Sequence, residues 1–320
     1  MVHYPVNVLE GEGPDLDGKY DVSNTFPVFI LTNSQGDVIT RWTGYSNAQS
    51  FVSRLNNSLK DLRTVKQRRA DFEANPNFRE AIELGNFYSE IGDNLEAASL
   101  FQRAEKLDSS KMVNLTYDIF RELANAAWNS KAPFDTVYSA ANDVIQSGQG
   151  SLIIKMATIM SRLSRKFDNT DSLQKYLDAG IEAASNSQDP KDTETRYLLV
   201  AEHALQIAHD TAKAIGIKEM SMGDGWDKNP NKFYEYSRWC LERKINLGQA
   251  EFYARRAVTV SPDGEQKAGI LNVLAEIYEA RGNYQGAVEA EQMAIDNHPE
   301  NPYYKNQLEK FQEELDNHKQ

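Results

Sequence analysis

The chain contains 320 residues, of which 40% are hydrophobic and 26% are charged, and its formal net charge is −12. The apolar share is sufficient to build packed cores, which excludes a chain that is disordered throughout. The excess of carboxylates repels nucleic acid and anionic membrane surfaces, so neither is an expected partner. The longest apolar run, near Leu152–Met160, contains Lys155 and is too short to cross a bilayer, so we expect no membrane insertion.

Cys240 is the single cysteine of the chain. An internal disulfide, a CxxC redox pair and a cysteine-rich zinc site are therefore excluded for the chain as given. A lone helical cysteine is typical of a buried core residue rather than a nucleophile. The sequence accordingly predicts no catalytic residue, no metal site and no cofactor. Because the N-terminus lacks a signal-peptide pattern, we expect a cytoplasmic location by default, and a periplasmic one if the N-terminus is truncated.

One dense basic run, Arg63–Arg69, interrupts this acidic background and is followed at once by Asp71 and Glu73. A short basic run with acidic neighbours is more typical of a solvated helix face than of a nucleic-acid-binding patch. We therefore interpret it as a solvated face, and it leaves the expected partners unchanged.

Three apolar segments near the N-terminus predict β-strands, at Val6–Leu9, Val28–Thr32 and Val38–Thr43. Such short segments, rich in β-branched and aromatic residues, fit a pleated surface. Asn33 and Gly36 lie between the second and third segments and are residue types that tight reversals favour. We therefore expect the second and third strands to form a hairpin.

From Ser46 onward the spacing of apolar residues changes to that of a helix. Ser46 is the predicted N-cap of a long helix with one apolar face, formed by Phe51, Val52, Leu55, Leu59 and Leu62. After Pro76, short clusters of Asn, Gly, Asp and Pro divide the chain into helical segments of roughly 12–20 residues. Short helices at short intervals predict antiparallel hairpins stacked in order, as in an α-solenoid.

The first of these hairpins carries a recognisable pattern of small and large residues. Small residues let two helices approach, and large ones fill the space between them. The pattern consists of Ala81, Leu84, Gly85, Tyr88, Gly92, Ala97, Phe101 and Ala104. It resembles the tetratricopeptide repeat, with Ala81 in place of the usual large residue and Ser109 where proline commonly closes the repeat.

A second copy of the pattern lies near the C-terminus. It comprises Leu271, Leu274, Ala275, Tyr278, Gly282, Ala287, Ala294 and Pro299, with Glu291 in place of the aromatic residue. The second helix of a further repeat is matched by Ala250, Ala254, Ala257 and Pro262. We therefore expect a tetratricopeptide-like domain over residues 61–320, clearest at 78–109 and 231–302. Between about residues 111 and 222 the pairing of helices persists without the repeat signature, so we expect degenerate repeats or generic helical hairpins there, and we expect Pro302–Gln320 to form a capping helix.

The N-terminal segment, residues 1–60, resembles the C-terminal half of a thioredoxin-like domain. The resemblance rests on the strand Val6–Leu9, on Phe26-Pro27 leading into Val28–Thr32, on the hairpin, and on the helix after Ser46. It implies that Pro27 follows a cis peptide bond after Phe26. The half that bears CxxC in that family has no counterpart here, so we expect the chain to be truncated or to carry a natural remnant. The fold class expected is mainly α, an α-solenoid of helical hairpins after a partial α/β segment.

The tetratricopeptide resemblance implies a groove lined by the first helix of each hairpin. The candidate groove residues are Arg79, Ile82, Asn86, Ser89, Glu90, Asn272, Glu276 and Glu279. Asn86 matches one residue of the clamp that binds chaperone C-termini in some members. The clamp's lysines and arginine have no counterparts, which argues against recognition of such tails. The acidic positions instead favour a polar or basic peptide.

The sequence is compatible with two functions. The favoured one is a non-catalytic scaffold that binds a peptide or protein partner through the groove, with an unknown oligomeric state. The alternative is the C-terminal portion of a thioredoxin-like thiol–disulfide oxidoreductase or redox-linked chaperone, whose CxxC would lie upstream.

Overall fold

A computed structural model of the chain describes residues 4–8, 10–22, 27–110 and 113–318. Within these ranges the chain is mainly helical, with sixteen α-helices and one two-stranded sheet. It divides into two compact units, unit 1 (Met1–Thr193) and unit 2 (Glu194–Gln320). The boundary predicted after residue 60 falls inside unit 1 and stays a prediction of where the N-terminal segment ends.

Unit 1 begins with helix α1 (Gly13–Tyr20) and an antiparallel hairpin of strands β1 (Val28–Thr32) and β2 (Val38–Thr43). The hairpin prediction is confirmed. Asn33 shapes the turn, because its side-chain Oδ1 accepts the backbone N–H groups of residues 35 and 37. Gly36 adopts a φ of +82° there, a conformation that glycine reaches without a steric cost.

The predicted strand Val6–Leu9 is wrong for residues 6–8, which form no strand, while Leu9 lies outside the described residues. A strand is stabilised by pairing, and the described sheet holds β1 and β2 alone. The nearby regular element is instead α1, which Pro14 begins with a fixed φ at the first helical turn. The thioredoxin-like fold is not confirmed.

The single long helix predicted after Ser46 is two helices, α2 (Ala48–Ser58) and α3 (Val65–Ala74). Asn47, not Ser46, caps α2, and its Oδ1 accepts the N–H of Ser50. Thr64 and Gln67 form a reciprocal capping box that starts α3 separately. The predicted apolar face is consequently broken, and three of its members, Val52, Leu59 and Leu62, are exposed.

Six further helices complete unit 1 as antiparallel hairpins, α4 with α5, α6 with α7, and α8 with α9. They are α4 (Phe78–Glu90), α5 (Asn94–Leu107), α6 (Thr116–Trp128), α7 (Phe134–Gln146), α8 (Gly150–Phe167) and α9 (Leu173–Ser185). The first helices α4, α6 and α8 belong to successive hairpins. In the first hairpin Leu84 and Phe101 are buried, as the repeat pattern predicts.

Unit 2 contains the remaining helices. They are α10 (Pro190–Gln206), within which the boundary falls, α11 (Thr211–Ser221), α12 (Pro230–Arg243), α13 (Leu247–Val260), α14 (Glu265–Ala280), α15 (Tyr284–Asn297) and α16 (Pro302–Asn317). Hairpins α12–α13 and α14–α15 are followed by α16, which packs against α15. Tyr236, Cys240 and Phe311 are among the fully buried residues of its core.

Across the described ranges, none of the helices combines the length and the apolar character that crossing a bilayer requires.

Candidate protein-binding faces

The groove residues predicted in the first hairpin lie along one stripe of α4, at the three- and four-residue spacing of a helix face. Arg79, Asn86 and Glu90 are exposed, whereas Ile82 is half-buried and packs against the core. Arg79 is held by Glu83, its Nε lying 2.9 Å from Oε1. The exposed part of this stripe is therefore polar.

Ser89, the remaining predicted residue of α4, is engaged by a buried carboxylate. Its hydroxyl donates to Oε1 of Glu122 on α6 at 2.8 Å, and Asn94 on α5 donates to Oε2 at 2.7 Å. Arg121 also binds Oε1 of Glu122. Glu122 is fully buried. The network joins α4, α5 and α6, and it gives Ser89 a structural partner.

In unit 2 the predicted residues on α14 differ in accessibility. Asn272 is only 5% exposed, and its Nδ2 donates to Oε2 of Glu291 on α15 at 3.1 Å. The groove prediction is thus wrong at Asn272, because this residue is buried and its side chain holds Glu291 by a hydrogen bond instead of lining a groove. Glu276 and Glu279 are half-buried and lie one and two turns further along α14.

Charged and aromatic residues of α12, α14 and α16 meet around Glu276 and Glu279. Lys310 on α16 binds Glu279 with an N–O distance of 2.7 Å, and Arg238 on α12 binds Glu242 at 3.2 Å. Tyr303 on α16 is 46% exposed. We call this surface, made of Arg238, Glu242, Glu276, Glu279, Tyr303 and Lys310, the unit 2 face.

Two carboxyl groups of this region have raised pKa values. Burial is the main cause at Glu276, and the neighbouring carboxylates Glu279 and Glu242 add to it. Burial likewise raises the pKa of Glu291 to about 7, and the charge of Glu276 contributes. Both shifts mean that the ionised carboxylates lack sufficient compensation from water or cations.

The sequence pattern did not point to Arg238, Tyr303 and Lys310, because it does not specify which helices approach one another. For Glu291 a signal was present, since a carboxylate occupies the position where the repeat pattern has an aromatic residue.

The basic run Arg63–Arg69 is not a solvated face, contrary to the interpretation of the sequence. Arg68 is buried and binds Glu80 at 2.5 Å and Glu83 at 2.6 Å. Arg63 binds Asp61 and Asp71, and its hydrogen bonds lower the pKa of Asp61 to about 2. The run therefore holds α3, α4 and the preceding loop together.

Redox and metal chemistry gain no support in the part of the chain that the structure describes. Cys240 is fully buried, and burial raises the pKa of its thiol to about 11. Phe26 lies outside the described residues, and Pro27 is exposed just before β1. No cluster of histidine, cysteine and acidic residues suited to a metal ion occurs within those ranges.

No protein-family model matches the sequence, and neither does any curated protein. Among solved structures, the chain is similar to a tetratricopeptide repeat protein from Parabacteroides merdae ATCC 43184, with a TM-score of 0.51 and 13% identity over 82% of this chain and 95% of that one. A weaker likeness links it to yeast Tom70, with a TM-score of 0.48 and 15% identity over 79% of this chain and 52% of that one. At such identities a likeness shows the fold alone. The chain therefore has a mainly helical, tetratricopeptide-like fold.

Proposed function

We propose that this chain is a non-catalytic protein-interaction scaffold that binds an extended segment of a partner protein on the first helices of its hairpins. The observation that carries the proposal is the unit 2 face, where three helices that are not consecutive in the chain bring an exposed aromatic ring beside exposed basic groups and two half-buried carboxylates. Exposed aromatic rings flanked by polar groups are typical of protein-binding surfaces.

Charge favours a protein over a nucleic acid as the partner. The formal net charge is −12, and the arginines of the one dense basic run bind carboxylates of the chain itself. Phosphate binding needs basic groups that are free to approach the backbone. A polypeptide segment meets no such barrier.

The stripe of α4 is a second candidate binding surface, in unit 1. Arg79, Asn86 and Glu90 present donors and acceptors of the kind that hold an extended backbone. Ser89 and Asn272 are excluded from the proposed contacts, because their side chains already bind Glu122 and Glu291.

The test begins with linear peptides selected from a random display library against the full chain. Their affinities are then measured by fluorescence anisotropy for the native sequence, Tyr303→Ala and Phe252→Ala. Tyr303 (46% exposed) and Phe252 (50% exposed) are aromatics of unit 2 with matched exposure, but Phe252 lies on the second helix α13. We expect Tyr303→Ala to weaken binding about tenfold, since it removes aromatic contact area, and Phe252→Ala to change it less than about twofold.

A reversed ranking would assign binding to the second helices and overturn the proposed face. If the library yields no peptide whose binding responds to substitutions on α12, α14, α16 or α4, the proposal of peptide binding on first helices fails altogether.

A further inference from the structure

The unit 2 face contains more carboxylates than cations. Glu242 is bound by Arg238, and Glu279 is bound by Lys310. Glu276 makes no ion pair within the described residues, although it is half-buried beside Glu279. Arg238 and Lys310 lower the pKa of Glu276 through their charge, but burial and the neighbouring carboxylates outweigh them, so its pKa stays raised. The face thus has a carboxylate without an ion pair of its own, on α14.

A second carboxylate lies beneath the first. Glu291 has no exposed surface, and its Oε2 accepts from Asn272. Its Oε1 is buried and has no hydrogen-bond partner among the described residues. Glu291 interacts electrostatically with Glu276 and with Tyr303, so this carboxyl lies at the base of the unit 2 face.

Two neighbouring carboxylates that are largely out of water and lack ion pairs of their own are costly to ionise. The raised pKa values of both groups are the expected consequence. A positively charged side chain of the partner, placed against α14, would lower the free-energy cost of ionising these carboxyls. An ammonium or a guanidinium supplies that charge together with several N–H donors, and neither loses it near neutral pH.

We propose that the unit 2 face binds one lysine or arginine side chain of the partner segment. This side chain pairs directly with Glu276, while the buried carboxylate of Glu291 lies beneath and attracts the same cation through its charge. This inference rests on the proposed function, and it names the chemistry of the partner. The selected segment is basic at one fixed position, and Tyr303 lies beside that position to pack against the aliphatic stem or the guanidinium plane.

Other ionisable groups surround the two carboxyls and are part of the same electrostatic site. They come from α12, α14, α16 and the residues before α16, and are Tyr234, Arg238, Glu242, Glu265, Glu279, His298, Tyr303, Tyr304 and Lys310. Arg238 and Lys310 form ion pairs with Glu242 and Glu279, so Glu276 is the carboxylate of the unit 2 face left without an ion pair among the described residues.

The test uses the peptides selected against the full chain, with Glu276→Gln, Glu291→Gln and the control Glu289→Gln. Glu289 is an exposed carboxylate on α15 whose Oε1 binds Gln285, so its replacement removes the same charge away from the face. We expect the first two substitutions to weaken binding about tenfold and the control less than about twofold. The peptide's fixed basic residue, replaced by norleucine or citrulline, should lose about tenfold on the native chain and little on Glu276→Gln.

A readout on the unmodified chain covers the case in which a variant does not fold. Carboxyl carbon NMR titration of the native protein should show the pKa values of Glu276 and Glu291 falling when the peptide binds, because a cation stabilises the ionised forms. Unchanged pKa values on binding would overturn the inference.

The remaining outcomes separate the two proposals. Peptides that bind the unit 2 face, as judged by Tyr303→Ala, but contain no fixed lysine or arginine overturn the cation site and leave the scaffold function in place. Equal losses for Glu289→Gln and Glu276→Gln would reduce the effect to general attraction by an acidic protein, and would also overturn the site.

Discussion

Glu291 places an ionisable group at a fully buried position of α15, with one oxygen held by Asn272. The repeat pattern has an aromatic side chain at this position, which would fill the space without a charge. Retaining a carboxylate there lowers stability whenever the group is ionised, and the cation site proposed above would give this carboxylate a role.

We expect Glu291→Gln to change how stability depends on pH. The folded pKa of about 7 lies above the ordinary value of 4.5, so the native state holds the proton more tightly. The favourable contribution of the protonated carboxyl to the free energy of unfolding is fully present below its unfolded pKa. It is lost as pH rises through about 7, and the loss amounts to at most about 3 kcal/mol. Glutamine resembles the protonated form, so the variant should melt higher than the native chain near pH 8 and close to it near pH 5.

Thermal unfolding monitored by circular dichroism at the two pH values measures this difference. Glu289→Gln on the exposed side of α15 provides the control, and it should leave the pH profile unchanged. Identical profiles for the native chain and Glu291→Gln would show that the buried carboxyl does not titrate as described.

We expect Cys240 to resist modification in the folded protein. Its thiol is fully buried, and burial raises its pKa to about 11, so thiolate is scarce near neutral pH. Incubation with a chromogenic disulfide reagent should release colour only after denaturant is added. Rapid reaction of the native chain would contradict the burial of Cys240 and would reopen a role for this thiol.

At the scale of elements, the first hairpin depends on a close approach of α4 and α5. A Cβ added at Gly85 would lie 2.6 Å from the Phe101 ring, closer than such contacts occur. Leu84 and Phe101 are buried around this point. The glycine is therefore required by the neighbouring helix rather than by its own backbone conformation.

Gly85→Ala should accordingly lower the free energy of unfolding by about 1–3 kcal/mol, because overpacking outweighs the better helix propensity of alanine. Gly269 on α14 has open space at its Cβ position and supplies the matched control. Gly269→Ala should be neutral or stabilising, by up to about 1 kcal/mol. Urea titrations measure the free energy of unfolding of both variants. Equal changes would show that the contact with Phe101 does not destabilise Gly85→Ala.

The elements that the sequence predicted well are those specified by nearby residues. The β1–β2 hairpin follows from Asn33 and Gly36, and the α4–α5 hairpin follows from small and large residues within one repeat. The predictions of the first strand and of a single long helix after Ser46 were wrong, because strand pairing and the Thr64 cap depend on interactions that apolar spacing does not contain.

The candidate site was predicted in part for a related reason. Repeat positions predict which residues of one helix face outward, and Asn86 is exposed as expected, whereas Glu279 is half-buried and bound by Lys310. Whether such a residue is free depends on other helices, which is why the burial of Asn272 against Glu291 and the role of Lys310 emerged only in three dimensions.

At the scale of the molecule, two compact units each contain a set of helical hairpins. The arginines of the basic run bind carboxylates within unit 1, whereas Glu276 of the unit 2 face has no ion pair among the described residues. If the proposed function holds, we therefore expect unit 2 to bind a basic partner more tightly than unit 1, within an acidic chain of net charge −12.

Hydrogen–deuterium exchange of the full chain, with and without a selected peptide, is the most direct test of binding on the first helices. We predict slower exchange in α12 (Pro230–Arg243), α14 (Glu265–Ala280) and α16 (Pro302–Asn317), with α13 (Leu247–Val260) little changed. Protection confined to α13 and α15, or none in unit 2 at a saturating peptide concentration, would contradict the unit 2 face as the binding surface.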